Sequence, residues 1–174
     1  MKRLLAGVVL GASLTLGLSG CFIVQAPPSF DPNVIDPTPS TTTPIPDVAG
    51  STADCTHADI RLTEANATYT LTGECGIVTI EGADITVDAG NLEGLVVRGD
   101  RITVEAAAVG SIKVSGTENT ITVDDAGAIS INGDRNRIRA FTVYTVDVSG
   151  NDNVVAATST GDVTQSGARN TIGR

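Results

Sequence analysis

The chain has 174 residues, enough for one domain with a leader and a tether and too few for two catalytic domains around a cleft. Aromatics make up 3% and Trp is absent, while hydrophobic residues reach 41% and are chiefly Val, Ile, Leu and Ala. That excludes a bulky aromatic core, argues against disorder and favours β-structure in thin layers. The formal charge is −9; without residues 1–20, which hold Lys2, Arg3 and no acid, 9 basic and 20 acidic side chains leave −11, which argues against nucleic acid as a partner.

Residues 1–20 begin with Lys2 and Arg3 and continue as an apolar run too short and too rich in small residues for a membrane span. They read as a signal peptide. The run closes on Leu18-Ser19-Gly20-Cys21, which resembles the bacterial lipobox. The resemblance implies cleavage before Cys21 and a diacylglycerol thioether on its sulfur; the plainer alternative is a secretory signal with Cys21 incidental. Several acyl chains hold a protein on a bilayer where one does so only marginally. The expected location is therefore the extracytoplasmic face of a cell membrane, as part of the cell envelope, with the membrane as first partner.

Residues 21–50 are rich in Pro and Thr and have little to bury, so they are expected to form an extended tether. In a polyproline-like form it would reach about 90 Å. Its hydroxyls could carry sugars, although a simple solvated linker is the more economical reading. In an exported protein the two remaining cysteines, Cys55 and Cys75, pair by default as a disulfide closing a short loop. With His57 they make a poor zinc set, so neither metal nor cofactor is expected.

From residue 51 onward the sequence is periodic. Gly82, Gly99, Gly116, Gly133, Gly150 and Gly167 fall seventeen residues apart, and Val87, Val104, Ile121, Ile138, Val155 and Ile172 follow five residues after each. Before the next glycine come alternating pairs such as Leu95/Val97, Ile112/Val114, Ile129/Ile131 and Val146/Val148, weakening to Val163/Gln165. Apolar residues two apart mark one face of a strand, and seventeen residues suit short strands separated by turns. The predicted fold is all-β: a single-stranded parallel β-solenoid (β-helix) of about six 17-residue coils over residues 78–174, with right-handed connections as the general rule. Residues 51–77, stapled by Cys55 and Cys75, form its N-terminal cap, with Tyr69 and Leu71 sealing it. The glycines supply positive φ or tight stacking at one corner, and Gly110, Gly127 and Gly161 mark another. A last coil ending at Gly173-Arg174 has no evident cap, which raises end-to-end association or docking of a partner strand as an expectation.

Two further columns are placed outside the core. Three residues after the glycine stand Ile85 and Ile102, then Asn119, Asn136, Asn153 and Asn170, an asparagine ladder. Two residues after it the order is Asp84, Arg101, Glu118, Arg135, Asp152, Arg169. Alternating sign predicts that each acid meets a base above and below, and that a slip by one coil would set like charges together. The phrases Gly116-Thr117-Glu118-Asn119-Thr120-Ile121 and Gly133-Asp134-Arg135-Asn136-Arg137-Ile138 resemble those of a family of actinobacterial cell-envelope lipoproteins with a repeat domain of unknown function, DUF3060. The resemblance spans residues 70–174 and implies no activity, so it transfers no catalytic residue.

Catalytic constellations are sparse. The single histidine, His57, lies beside Cys55 and reads as a surface residue, and Asp124-Asp125 is the sole adjacent acid pair. Repeated Asp in calcium-binding β-rolls follows a glycine-rich nonapeptide that is absent here. Thr86 and Thr103 recur by one coil, too few for an ice-binding array. The best candidate for a binding patch is Arg135, Arg137, Arg139, Phe141 and Tyr144 in one coil, suited to an anionic glycan or an envelope protein. The expected role is a structural or interaction module and not an enzyme, with a glycan-binding or glycan-modifying envelope protein as the alternative. Because only Arg135 belongs to the alternating column, Arg135→Asp is expected to lower the melting temperature more than Arg137→Asp; equal losses would remove the charge-ladder argument.

Overall fold

The computed structural model describes residues 42–44 and 51–173; the leader, Cys21, most of the tether and Arg174 lie outside the described residues. The described chain is a parallel β-solenoid of about seven turns. Its strands are β1 (Thr42–Pro44), β2 (Ser51–Asp54), β3 (Asp59–Leu62), β4 (Thr68–Ala83), β5 (Thr86–Asp100), β6 (Thr103–Ser115), β7 (Thr120–Asn132), β8 (Arg137–Ser149), β9 (Val154–Ser166) and β10 (Thr171–Gly173). From β3 to β10 they pair in chain order, each on the one before it, with β1 on β3 and β2 on β4. From β5 onward the seventeen-residue register holds throughout: Val87 lies beside Val104, Val104 beside Ile121, Ile121 beside Ile138 and Ile138 beside Val155.

Each turn sends six side chains inward. In the turn that starts at Gly116 these are Asn119, Ile121, Val123, Ala126, Ile129 and Ile131, all buried. The apolar columns read from the sequence account for three of the six. Two more, headed by Ala89 and Leu92, hold small residues such as Ala106, Ala126 and Ala157, whose size fits them to the narrow part of the section. No turn can cover its own inward side chains, so the core is one continuous stack.

The sixth inward column corrects the sequence reading. The asparagines lie inside the core: Asn119, Asn136 and Asn153 are at most 1% exposed, in the same column as the fully buried Ile85 and Ile102. A buried amide is tolerated when its hydrogen-bonding groups are satisfied. Here the backbone N–H of Ile102 donates to Asn119 Oδ1 at 2.9 Å, that of Asn119 to Asn136 Oδ1 at 3.1 Å, and that of Asn136 to Asn153 Oδ1 at 2.9 Å. Each Nδ2 donates to a corner glycine carbonyl: Asn119 to Gly99 at 2.9 Å, Asn136 to Gly116 at 3.0 Å and Asn153 to Gly133 at 2.8 Å. Nδ2 of Asn119 and Asn136 also reaches the Oδ1 of the following asparagine, at 3.0 and 3.2 Å.

The segment expected to be a cap is built as part of the stack. Residues 51–54 and 60–62 pair in parallel on β4, with Ser51 beside Tyr69 and Ile60 beside Val78, and between them Thr56 makes an isolated antiparallel bridge to Cys75. The step is irregular only here: Leu71 pairs with Ala89, eighteen residues on, and Glu74 with Asn91, seventeen on. The extra residue is absorbed at the corner that carries the Cys55–Cys75 disulfide, whose Cα atoms are 4.9 Å apart. Tyr69 and Leu71 are buried as expected, inside the core of this second turn. At the other end, residues 161–169 are all exposed and the aliphatic pair of earlier turns becomes Val163, 46% exposed, and Gln165.

Asn136→Ala would strip the acceptor from two donors of Asn119 and the Nδ2 donor from the Gly116 carbonyl, all away from water. A loss of about 2–4 kcal/mol in chemical denaturation is expected, and a loss no larger than that of an exposed Thr→Ala change would contradict the ladder's role.

Candidate functional site

The corner after each glycine places the charged column. Asp84, Arg101, Glu118, Arg135, Asp152 and Arg169 all have φ between 56° and 60°. A left-handed conformation thus falls on charged residues two positions after the glycine, while Gly82, Gly116, Gly150 and Gly167 hold positive φ of their own, between 96° and 152°. The glycines also serve the close approach: a Cβ at Gly99 would lie 1.9 Å from the Gly82 carbonyl oxygen, and one at Gly133 2.0 Å from that of Gly116. At the second corner a Cβ on Gly127 would lie 2.1 Å from the Gly110 oxygen, and one on Gly161 2.1 Å from that of Tyr144.

The alternating charges form three separate pairs and not a continuous ladder. Arg101 grips Asp84 through Nε and Nη2, both at 2.7 Å; Arg135 Nε meets Glu118 at 3.0 Å; Arg169 Nε meets Asp152 Oδ1 at 2.5 Å. Each arginine reaches back to the turn before it, and the acid of the turn after acts on Arg101 only through its charge. The hydrogen bond from Arg101 holds the Asp84 carboxyl below the usual carboxylate range, and that from Arg169 does the same for Asp152. One face further on, Glu81 is flanked by Arg61 and by Arg98 Nη1 at 3.1 Å, and the Arg61 contact is the larger cause of its lowered pKa. Beside the charged column, Asp100 accepts from the hydroxyl and N–H of Thr117, both at 2.8 Å, which lowers its pKa too.

The five residues of the predicted patch divide. Arg135 is committed to Glu118. Arg137, Arg139 and Phe141 alternate on the outward side of β8 and are exposed, and Tyr144 projects beyond the next bend. Phe141 is 63% and Tyr144 70% exposed. Neither Arg137 nor Arg139 makes a side-chain hydrogen bond or ion pair among the described residues. Beside them an open depression of about 280 Å³ is lined by Arg139, Ala140, Ala156, Ala157 and Thr158.

The remaining candidates are dispersed. His57 is exposed and lines a shallow depression of about 270 Å³ with Glu74, Asn91 and Glu93, next to the disulfide. Among the described residues no group of three or more His, Cys, Asp or Glu is placed to hold a metal ion. Asp124 and Asp125 are exposed on the turn before the patch, where Asp125 pairs with Thr142. The threonine column is longer than two: Thr68, Thr86, Thr103 and Thr120 stand in register and are followed by Arg137 and Val154. Asp88 and Glu105 interrupt the neighbouring column, so the face is charged as well as hydroxylated.

The lowered carboxyl pKa values fix a pH dependence. A carboxyl that binds its proton less readily in the folded state stabilises the fold above its unfolded pKa, near 4, and loses that contribution as pH falls through the lower folded value. Melting temperature should therefore fall from about pH 5 downward. Asp84→Asn with Asp152→Asn, both tolerant of the left-handed conformation, should flatten that decline; an unchanged pH profile would show that these pairs do not contribute.

The family model of DUF3060, a protein of unknown function, matches residues 63–110 and 106–143. The matched stretches start in the first turn and run into β8, so they take in two of the Gly-x-x-Asn phrases and the first three residues of the exposed patch, Arg137, Arg139 and Phe141. Neither the curated proteins nor the solved structures give a match. Across the middle of its solenoid the chain is similar to the DUF3060 family.

Proposed function

We propose that this protein is a structural or interaction module of the cell envelope, anchored by lipid on Cys21 and spaced from the bilayer by the Pro/Thr-rich residues that precede the β-solenoid, the last of which, Thr42–Pro44, already pair with it as β1. The observation that carries the anchor is the basic, apolar leader closing on Leu18-Ser19-Gly20-Cys21. The disulfide Cys55–Cys75 agrees with an oxidising compartment. A net charge of −11 after cleavage would keep the folded part off an anionic bilayer and leave the acyl chains as the attachment.

The reading as a module and not a catalyst draws on the regularity of the stack. Its carboxylates at the glycine corner serve ion pairs and hydrogen bonds between turns, and the largest side chains that depart from their columns are exposed together on one turn. An anchored solenoid of about 30 Å on a Pro/Thr-rich spacer can present such a patch at a distance from the membrane. Expression of the full chain with radiolabelled palmitate should label it and carry it to the membrane fraction, and Cys21→Ala should abolish both. Labelling that survives the substitution, or a soluble unlabelled wild type, would overturn the anchor.

A further inference from the structure

One turn of the solenoid differs from its neighbours at four outward positions together. In the register of the stack, Arg137 stands where the adjacent turns carry Thr120 and Val154, and Arg139 where they carry Thr122 and Ala156. Seventeen residues to either side of Phe141 are Asp124 and Thr158, and to either side of Tyr144 are Gly127 and Gly161. The inward residues of the same turn, Asn136, Ile138, Val143, Val146 and Val148, keep to their columns and are buried. Packing therefore does not call for these four side chains, since Thr, Val, Ala, Gly and Asp serve the fold at the same sites in the adjacent turns.

The cost of the four is specific. Aromatic rings are scarce in the chain, and of the three among the described residues Tyr69 is in the core while Phe141 and Tyr144 face water. Burial of either ring would have stabilised the fold, a contribution forgone here. The two guanidiniums have no ion-pair partner among the described residues although the chain is strongly acidic. Arg137's column holds Thr120 and Thr103 on the preceding turns, and the acid in Arg139's column, Glu105, is two turns away, about 9–10 Å, with Thr122 between.

We propose that Arg137, Arg139, Phe141 and Tyr144 form a subsite for an acidic polysaccharide. The guanidiniums take its carboxylate or phosphate groups by charge-assisted hydrogen bonds. The rings stack against the C–H faces of its sugar units, with the depression beside Arg139 seating one unit at the lower size limit of small-molecule sites. Charge placement selects a sugar acid over a uniform polyanion: Asp124 and Asp125, the counterparts of Phe141 and Thr142 on the preceding turn, are exposed beside the patch, where they repel a second anionic group and accept from hydroxyls. Size selects it over a folded protein, which needs about 800 Å² and some twenty residues on this side. The inference rests on the envelope reading above only for where such a glycan is met.

The repeat supplies a test variant in which every substitution is taken from the same column of an adjacent turn: Arg137→Thr, Arg139→Thr, Phe141→Thr and Tyr144→Gly. The full chain, in detergent if lipidated, is titrated with polygalacturonate, phosphomannan, neutral dextran and polyglutamate. Binding of either acidic glycan, at least tenfold weaker in the variant and tenfold stronger than dextran or polyglutamate, is expected; which of the two binds tells carboxylate from phosphate. Polyglutamate binding as tightly would assign the patch to acidic protein, and the variant retaining affinity, or neither acidic glycan binding, would overturn the subsite. Should the fourfold variant melt early, Tyr144→Gly with Arg139→Gln carries the same comparison. Failure of palmitate labelling would leave these outcomes untouched.

Discussion

At the glycine corner the carbonyl oxygen of one turn lies about 2 Å from where the next turn's side chain would begin. The contact follows from parallel strands stacked at about 4.8 Å in unbroken register, and the other features of the corner depend on it. Gly116 leaves the Gly99 oxygen uncovered, and the amide of Asn119, three residues on, occupies that approach with a hydrogen bond. The phrase Gly-x-x-Asn is thus one device: the first residue keeps a carbonyl accessible and the last one satisfies it. Where Ile85 and Ile102 hold the asparagine column, the site stays buried without that amide, so the ladder belongs to the later turns.

Between glycine and asparagine the chain must pass through a left-handed residue, and the sequence places a charge there in six successive turns. A glycine or asparagine would hold that conformation at lower backbone cost. Guanidinium-to-carboxylate pairing between adjacent turns offsets it, and the two-turn period of the charges makes a one-turn slip unfavourable. The pairs are exposed, so their value lies more in specifying register than in bulk stability.

The same regularity makes departures informative. In a stack whose turns are near copies, a residue required by the fold appears in the turns above and below it. Arg137, Arg139, Phe141 and Tyr144 do not, and they lie together on one turn. Arg135, adjacent in sequence and of the same type, repeats in sign every second turn and is bound to Glu118. Column membership thus separates a structural arginine from an available one where composition alone groups them.

From sequence alone the period, the solenoid, the inward aliphatic columns and the pairing of Cys55 with Cys75 were legible, because each is a consequence of spacing along the chain. The position of the asparagines was not, because an amide reads as polar until the buried donors and acceptors around it are known. Nor was the one-way pairing of the arginines, which depends on how side chains leave a left-handed corner. That residues 51–77 also pair in register with the following strands was not legible, because an extra residue at the disulfide corner hides their periodicity. Spacing determines which residues become neighbours; only the folded stack decides which atoms face each other across a turn, since that follows from backbone conformation and the few ångströms between layers.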